Sequence, residues 1–283
     1  MNKDNAIGMF MGLFIGDALG APNEFMRPEE IKTPVTDMVG GGVHDTAKGE
    51  WTDDGAKAVA IADAYITKQG FAPDEIALNF KTWRKSGHFG TRNYVFDIGR
   101  TCSTSIDRMT TENPYAGATG RYDSGNGSLM RLAPIMLANH TCIPMAIAES
   151  VAVSLMTHGN KDIVQYTAAF VTETMLGEMT KDFTALRHFN TRESKTTGTI
   201  MHAYAQAWRS VALTDSFEDA LVDAVNKGYD ADTVGAITGM LAGRKYGYSS
   251  IPKRWLDKLV QRDELLAMAE QLYKLGGSDE NCN

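Results

Sequence analysis

Apolar residues recur at helical spacing along most of the chain. Ile7, Phe10, Met11, Phe14 and Ile15 fall at i, i+3, i+4, i+7 and i+8, the period of one helix face, while Gly8, Gly12 and Gly16 mark a second stripe over residues 5–19. A glycine inside a helix costs about 1 kcal/mol against alanine. Three on one stripe therefore predict a neighbour packed too closely for side chains. Pro22 ends this helix. Helical spacing returns over 53–65, then over 73–85, where Ile76, Phe80 and Trp83 repeat, and over 144–157, 160–178, 196–211, 217–227, 233–246 and 262–275. No stretch alternates apolar and polar residues with period two between turn residues, so no sheet is expected. Residues 27–48, with two prolines and the Gly40-Gly41-Gly42 run, read as a long loop. The pattern predicts an all-α fold.

Two of the helix starts are acidic. Trp51-Thr52-Asp53-Asp54 precedes one helix, with Thr52 at the N-cap position and the aspartates in the first turn. Asp230-Ala231-Asp232-Thr233 precedes another, in which Gly235, Gly239 and Gly243 form a further every-fourth-residue stripe. Taken singly, each start is an ordinary capping arrangement. If the two face each other, four carboxylates and two hydroxyls meet, and such a cluster needs cations to stay ionised. Its all-oxygen donors select hard ions such as Mg²⁺ or Mn²⁺. The Asp-x-Asp-x-Thr/Val spacing that Asp230, Asp232 and Val234 satisfy also occurs in phosphatases that use an aspartate nucleophile, but there it ends a buried strand, and residues 224–229 are not one. An EF-hand would want a glutamate where Leu241 stands. Contact between such distant segments favours one domain over 1–275, with 276–283 as a frayed tail.

Composition narrows the class. The 283 residues are 43% hydrophobic and 22% charged, as in ordinary globular proteins. No apolar run approaches the roughly 20 residues of a membrane span. The N-terminus lacks the basic start and long apolar core of a secretory signal, so a cytoplasmic location and no membrane partner are expected. Cys102, Cys142 and Cys282 have no metal-like spacing and read as plain thiols. A net charge of -7 excludes a nucleic-acid surface built on basic residues. It leaves room for a local anion site made of backbone N–H groups. A monomer is expected.

The two acidic starts do not stand alone. Gly16-Asp17-Ala18-Leu19-Gly20 followed by Glu24, Phe96-Asp97-Ile98-Gly99-Arg100-Thr101, Asn126-Gly127-Ser128-Leu129-Met130-Arg131 and Thr157-His158 accompany them in order. Together these motifs resemble the ADP-ribosylglycohydrolase family, and within it the dinitrogenase reductase-activating branch. The resemblance implies an orthogonal helical bundle with a dinuclear metal cleft. It implies a metal-dependent glycosidase that releases ADP-ribose from an acceptor, with arginine favoured. Serine-linked or acyl-linked substrates, a non-hydrolytic ADP-ribose-binding protein and a phosphohydrolase are the alternatives. It further implies two divalent cations, Mg²⁺ or Mn²⁺, on Thr52, Asp53, Asp54, Asp230, Asp232 and Thr233. Glu24 or Asp54 would act as acid/base, and Asp97, Gly99, Asn126, Gly127, Ser128 and His158 would hold the ADP-ribose.

Several of these residues carry a plainer reading beside the functional one. Glu24 is equally a solvated loop glutamate. Asp97 is either a ribose ligand or the N-cap of the next helix. The Asn126–Ser128 turn offers free N–H groups if it feeds a helix, yet such turns are common. His158 is either a diphosphate neighbour or a helix C-terminal cap. Asp17 reads as structural, and Arg131 as the partner of an internal carboxylate. His44, His88, His140, His188 and His202 receive no role. Gly55 departs from the family, many members of which carry threonine or serine there.

Overall fold

In the computed structural model, which describes residues 1–120, 123–178 and 198–277, the two glycine stripes meet each other. Helix α1 (Lys3–Gly20) runs antiparallel to a late helix, α10 (Ala231–Tyr246). Gly8 faces Gly243, Gly12 faces Gly239, and Gly16 faces Gly235. A Cβ on Gly12 would lie 2.1 Å from the Gly239 carbonyl oxygen, and one on Gly239 1.8 Å from that of Gly12. The helices touch backbone to backbone, as the spacing predicted. Every residue of α1 from Ala6 to Gly20 is buried, so this helix is central and shows no solvent face.

Around this pair lie α2 (Asp53–Lys68), α3 (Pro73–Ser86), α4 (Arg100–Arg108), α5 (Ala133–Ala138), α6 (Ile143–Leu155), α7 (Lys161–Leu176), α8 (Ile200–Ala212), α9 (Phe217–Val225), α11 (Lys253–Leu256) and α12 (Arg262–Gly276). Among the described residues there are no strands, only isolated bridges such as Gly41 with Thr46 and Gly125 with Thr199. The all-α expectation is met. No described helix is long and apolar enough to cross a membrane.

Differences from the sequence reading are local. α4, α5 and α11 are too short to show a period. The helix expected from 196 begins at Ile200, with 196 and 197 outside the described residues. The helix expected to reach 227 ends at Val225, because Asn226 turns its amide to the long loop. Its Oδ1 accepts from the Val35 N–H at 2.7 Å and its Nδ2 donates to the Val35 carbonyl at 2.8 Å, which pins residues 27–48 to the body. The final helix extends to Gly276, and residues 278–283 lie outside the description. Cys102 is a free buried thiol, Cys142 is disulfide-bonded rather than a plain thiol, and Cys282 lies outside the described residues. The spacing of three cysteines gave no sign of which are neighbours in space.

Candidate active site

The antiparallel glycine contact sets the end of α1 against the start of α10. Asp17, one turn before the end of α1, then reaches the start of α2. Its carboxylate accepts from Thr52 N–H at 2.9 and 3.0 Å and from Gly55 N–H at 2.9 Å. The cap of α2 therefore comes from another helix. Thr52 stands at the N-cap position but makes no capping bond. This corrects the expectation of a self-capped start: with Asp17 holding those N–H groups, the Thr52 hydroxyl is free to face Asp54 Oδ2 and Asp232 Oδ2, each at 3.4 Å.

Gly55 has a packing reason. The buried Trp51 ring, held by Nε1–H donating to the Val260 carbonyl at 3.1 Å, lies over it, and a Cβ at Gly55 would sit 2.6 Å from Trp51 Cε3. Asp53 is paired with Lys57 one turn later. Lys57 is wholly buried, with its ammonium against the Trp83 face at 5.4 Å and 3.8 Å from Cys102 Sγ. The sequence reading passed over Lys57, although its i+4 spacing from Asp53 was visible.

At the other start, Asp230 Oδ2 accepts from Asn126 Nδ2 at 2.5 Å. The Asn126 amide is thus spent on an aspartate, and the Thr233 hydroxyl lies 3.4 Å from Met130 Sδ. Asp54 Oδ1 and Asp232 Oδ1 are buried and have no hydrogen-bond partner. Two orphaned carboxylate oxygens at two abutting helix starts, with only oxygen donors around them, fit hard divalent cations.

A cavity of about 450 Å³ opens over these groups. Glu24, Asp53, Asp97, Gly99, Asn126, Gly127, His158, Asp230, Asp232 and Thr233 line it. Thr52, Asp54 and Ser128 are not on its wall: the first two contact Asp232 or each other beneath it, and the Ser128 hydroxyl is buried without a partner. The turn at 126–128 does not feed a long helix. It leads into a single 3₁₀ turn, Leu129–Arg131, and the Asn126 N–H already donates to the Gly198 carbonyl at 3.1 Å. The anion-binding helix start expected there is absent.

Arg131 is a second correction. Among the described residues it meets no carboxylate; its guanidinium donates to the carbonyls of Gly127 and Val153, each at 3.1 Å, and to Thr157 Oγ1 at 2.6 Å, and stacks over Phe80. Thr157 is in turn 2.8 Å from His158 Nδ1, which leaves the other edge of that ring toward Gly125 and Gly127. Asp97 is not an N-cap, since Gly99 occupies that position for α4. It sits 3.6 Å from Nε2 of His44, a residue the sequence reading left without a role.

Burial dominates the electrostatics. It raises Asp54 and Asp232 well above the usual carboxylate range, with the neighbouring acids adding to the effect. It raises Asp230 as well, against the hydrogen bond from Asn126. Asp17 is pushed up to about 7, Asp97 to about 8, and Glu24 to about 10, the last helped by Asp97 and Asp230. His158 is held well below its ordinary value by burial and then by Arg131 and Lys57, so its imidazole is neutral. Burial pulls the Lys57 ammonium down, but Asp53 leads the acids that bring the net shift upward.

Comparison with known proteins agrees with the motifs. The ADP-ribosylglycohydrolase family matches residues 2–282. An ADP-ribosylarginine hydrolase, Tri1, from Serratia proteamaculans is 30% identical, with 98% of this chain and 81% of the relative aligned. The ADP-ribosyl-dinitrogen reductase glycohydrolase of Rhodospirillum rubrum is 31% identical, with 98% of both chains aligned. A solved structure described as an ADP-ribosylglycohydrolase-related protein complex superposes with a TM-score of 0.83 at 32% identity, covering 97% of this chain and 98% of the other. With that match running from end to end over an all-α body, the chain belongs to the ADP-ribosylglycohydrolase family of hydrolases.

Proposed function

We propose that this chain removes ADP-ribose from arginine side chains, breaking the bond between the anomeric carbon of the distal ribose and a guanidinium nitrogen. The observation that carries the reading is one cavity lined by Asp232, Glu24 and Asp97, with an orphaned oxygen on Asp232 and another on Asp54 just beneath it. A guanidinium leaving group is planar and rich in N–H donors, and the carboxyl oxygens of Glu24 and Asp97 can accept from it. A serine hydroxyl or an acyl ester gains nothing comparable from them. Relatives named as ADP-ribosylarginine hydrolases support the same acceptor.

Thr52, Asp53, Asp54, Asp230, Asp232 and Thr233 are the residues that would hold two divalent cations, Mg²⁺ or Mn²⁺. When bound, such ions neutralise the buried acids and supply Lewis acidity toward ribose hydroxyls and water. Glu24 lines the cavity whereas Asp54 does not, so proton transfer is assigned to Glu24. In the metal-free chain burial, with Asp97 and Asp230 beside it, pushes its carboxyl up to about 10; in its protonated form it can donate to the departing nitrogen. Once ionised, it can take a proton from the incoming water. The surrounding carboxylates favour the positive charge that develops on the ribose. The wall at Asn126, Gly127 and His158 is assigned to the ADP portion, with the neutral His158 ring fixed by Thr157.

The test is release of ADP-ribose from an arginine-ADP-ribosylated protein, with Mg²⁺ or Mn²⁺, then with chelator, and with Asp232→Asn. Metal-dependent release that the substitution abolishes is expected. Release only from serine-linked or acyl-linked substrates would overturn the acceptor, and ADP-ribose binding with no release from any of them would overturn the hydrolytic reading.

A further inference from the structure

His44 has no counterpart in the acid cluster at the helix starts, and its position is built rather than incidental. The Gly40–Gly42 turn closes through backbone bonds in which Gly41 and Thr46 donate to each other's carbonyls at 2.7 and 3.0 Å. Gly42, at φ 73°, lies so close to the turn after α1 that a Cβ would sit 2.5 Å from the Ala21 carbonyl oxygen. From the far side, Arg92 donates to the His44 carbonyl at 3.2 Å and the Asp45 carbonyl at 3.0 Å, and is itself fixed by Glu50 at 2.8 Å. The guanidinium of Arg92 lies over the Phe96 ring at 4.1 Å, and the same Phe96 ring packs edge-on to the His44 imidazole at 5.6 Å. Phe25 flanks the imidazole on another side at 6.4 Å.

This cradle presents His44 Nε2 at 3.0 Å from Glu24 Oε2 and 3.6 Å from Asp97 Oδ1. Despite the short approach, neither His44 Nε2 nor Glu24 Oε2 has an aligned hydrogen-bond partner, and Glu24 is only 5% exposed. One donor atom from each of the three residues lies within 4.8 Å of the others. A tetrahedral ion with bonds of about 2.0–2.1 Å spaces its ligand atoms about 3.3 Å apart. The two measured separations bracket that value, and burial favours the neutral imidazole that a metal requires.

We propose that Glu24, His44 and Asp97 form a separate cation site on the cavity wall, selective for ions that accept nitrogen, Zn²⁺ or Co²⁺, over Mg²⁺. The selectivity follows from the donor set: an imidazole suits Zn²⁺ and Co²⁺, whereas Mg²⁺ demands oxygen and near-octahedral geometry. A fourth position is left to water. An ion held here takes the Glu24 carboxylate and neutralises the acids facing the acceptor, so loading the site inhibits the enzyme. The inhibitory consequence rests on the proposed hydrolysis; the binding itself does not.

The experiment is a Co²⁺ titration of the full chain in excess Mg²⁺, followed by calorimetry and by the visible absorption of four-coordinate Co²⁺, with His44→Phe and Asp97→Asn alongside. His44→Phe keeps an aromatic ring between Phe25 and Phe96, and thermal melts check that each variant folds. One equivalent of Co²⁺ that Zn²⁺ displaces, weakened at least tenfold in both variants, is the expected result. No binding in excess Mg²⁺, or binding that both folded variants retain, would overturn the site. Each protein is then assayed for ADP-ribose release against its own rate in Mg²⁺ without zinc: Zn²⁺ slowing the native chain but not His44→Phe supports inhibition through this site. Equal slowing of both removes the inhibitory role while leaving the binding result to stand by itself.

Discussion

The floor and the upper wall of the cavity are both acidic, but they are made differently. On the floor, Asp54 and Asp232 sit in the first turns of two helices locked by backbone-to-backbone glycine contacts and by the Asp17 cap. On the wall, Glu24, His44 and Asp97 come from three irregular segments held by Asn226, Arg92 and a glycine turn. The floor offers oxygen alone, and the wall adds nitrogen. A rigid oxygen-only floor suits hard ions that stay in place. A loop-borne wall suits groups that must meet substrates, protons and competing ions.

The largest effect expected from disturbing this contrast is at the floor. Asp232→Asn or Asp54→Asn should lower kcat/KM by ~10³-fold, the order seen when charge stabilisation of a transition state is removed. The same substitutions should raise the melting temperature in chelator, since they remove acids whose ionised form is penalised first by burial and then by neighbouring acids. A fall in both activity and chelated stability would show that the floor acids are structural.

Gly239→Ala comes next. Its Cβ would meet the Gly12 carbonyl, so the helices must part, at a cost of about 3 kcal/mol. Denaturant unfolding measures it, and an unchanged midpoint would mean that the α1–α10 contact is looser than described.

A pH effect on the metal-free protein follows in size. Folded Asp17, Asp97 and Glu24 sit at about 7, about 8 and about 10, against roughly 4 when unfolded. Between those values the native state retains protons that the unfolded chain has released. Their contribution to stability is complete below the unfolded value and is lost as pH rises through the folded ones. Thermal melts in chelator should fall by about 5 °C or more between pH 5 and pH 8, with Mg²⁺ restoring most of the loss at the upper end. Insensitivity to Mg²⁺ would separate the titration from the cation site. The smallest effect belongs to Ser128→Ala. Its buried hydroxyl has no partner and does not line the cavity, so stability and KM should change by less than about 0.5 kcal/mol.

The same contrast decides what the sequence could reveal. The floor is written in local patterns, with acids before helical runs and glycines every fourth residue, and those patterns place Asp53, Asp54, Asp230 and Asp232 correctly at helix starts. That α1 and α10 each pack tightly against a neighbour was legible, because glycine in a helix implies close contact; that they pack against each other was not. The wall was legible only where a motif named it. His44 reaches Glu24 through a loop whose course depends on Asn226 and Arg92, and no spacing announces such contacts. Arg131 shows the limit of chemical expectation: a buried guanidinium was expected to find a carboxylate, and two carbonyls and a hydroxyl took it instead.

The pairing of α1 with α10 also bears on how the chain reaches its native state. Gly12 must await Gly239, so the central contact of the fold closes across most of the sequence. Such non-local closure slows folding. During synthesis, the largely apolar α1 lacks the helix it packs against most closely until more than two hundred residues have followed it, and it is a natural target for chaperone holding in that interval. A product truncated before Ala231 would carry an uncovered glycine groove and half of the acidic floor. Partial chains should accordingly be cleared by proteolysis, and no truncated form is expected to retain weak hydrolysis.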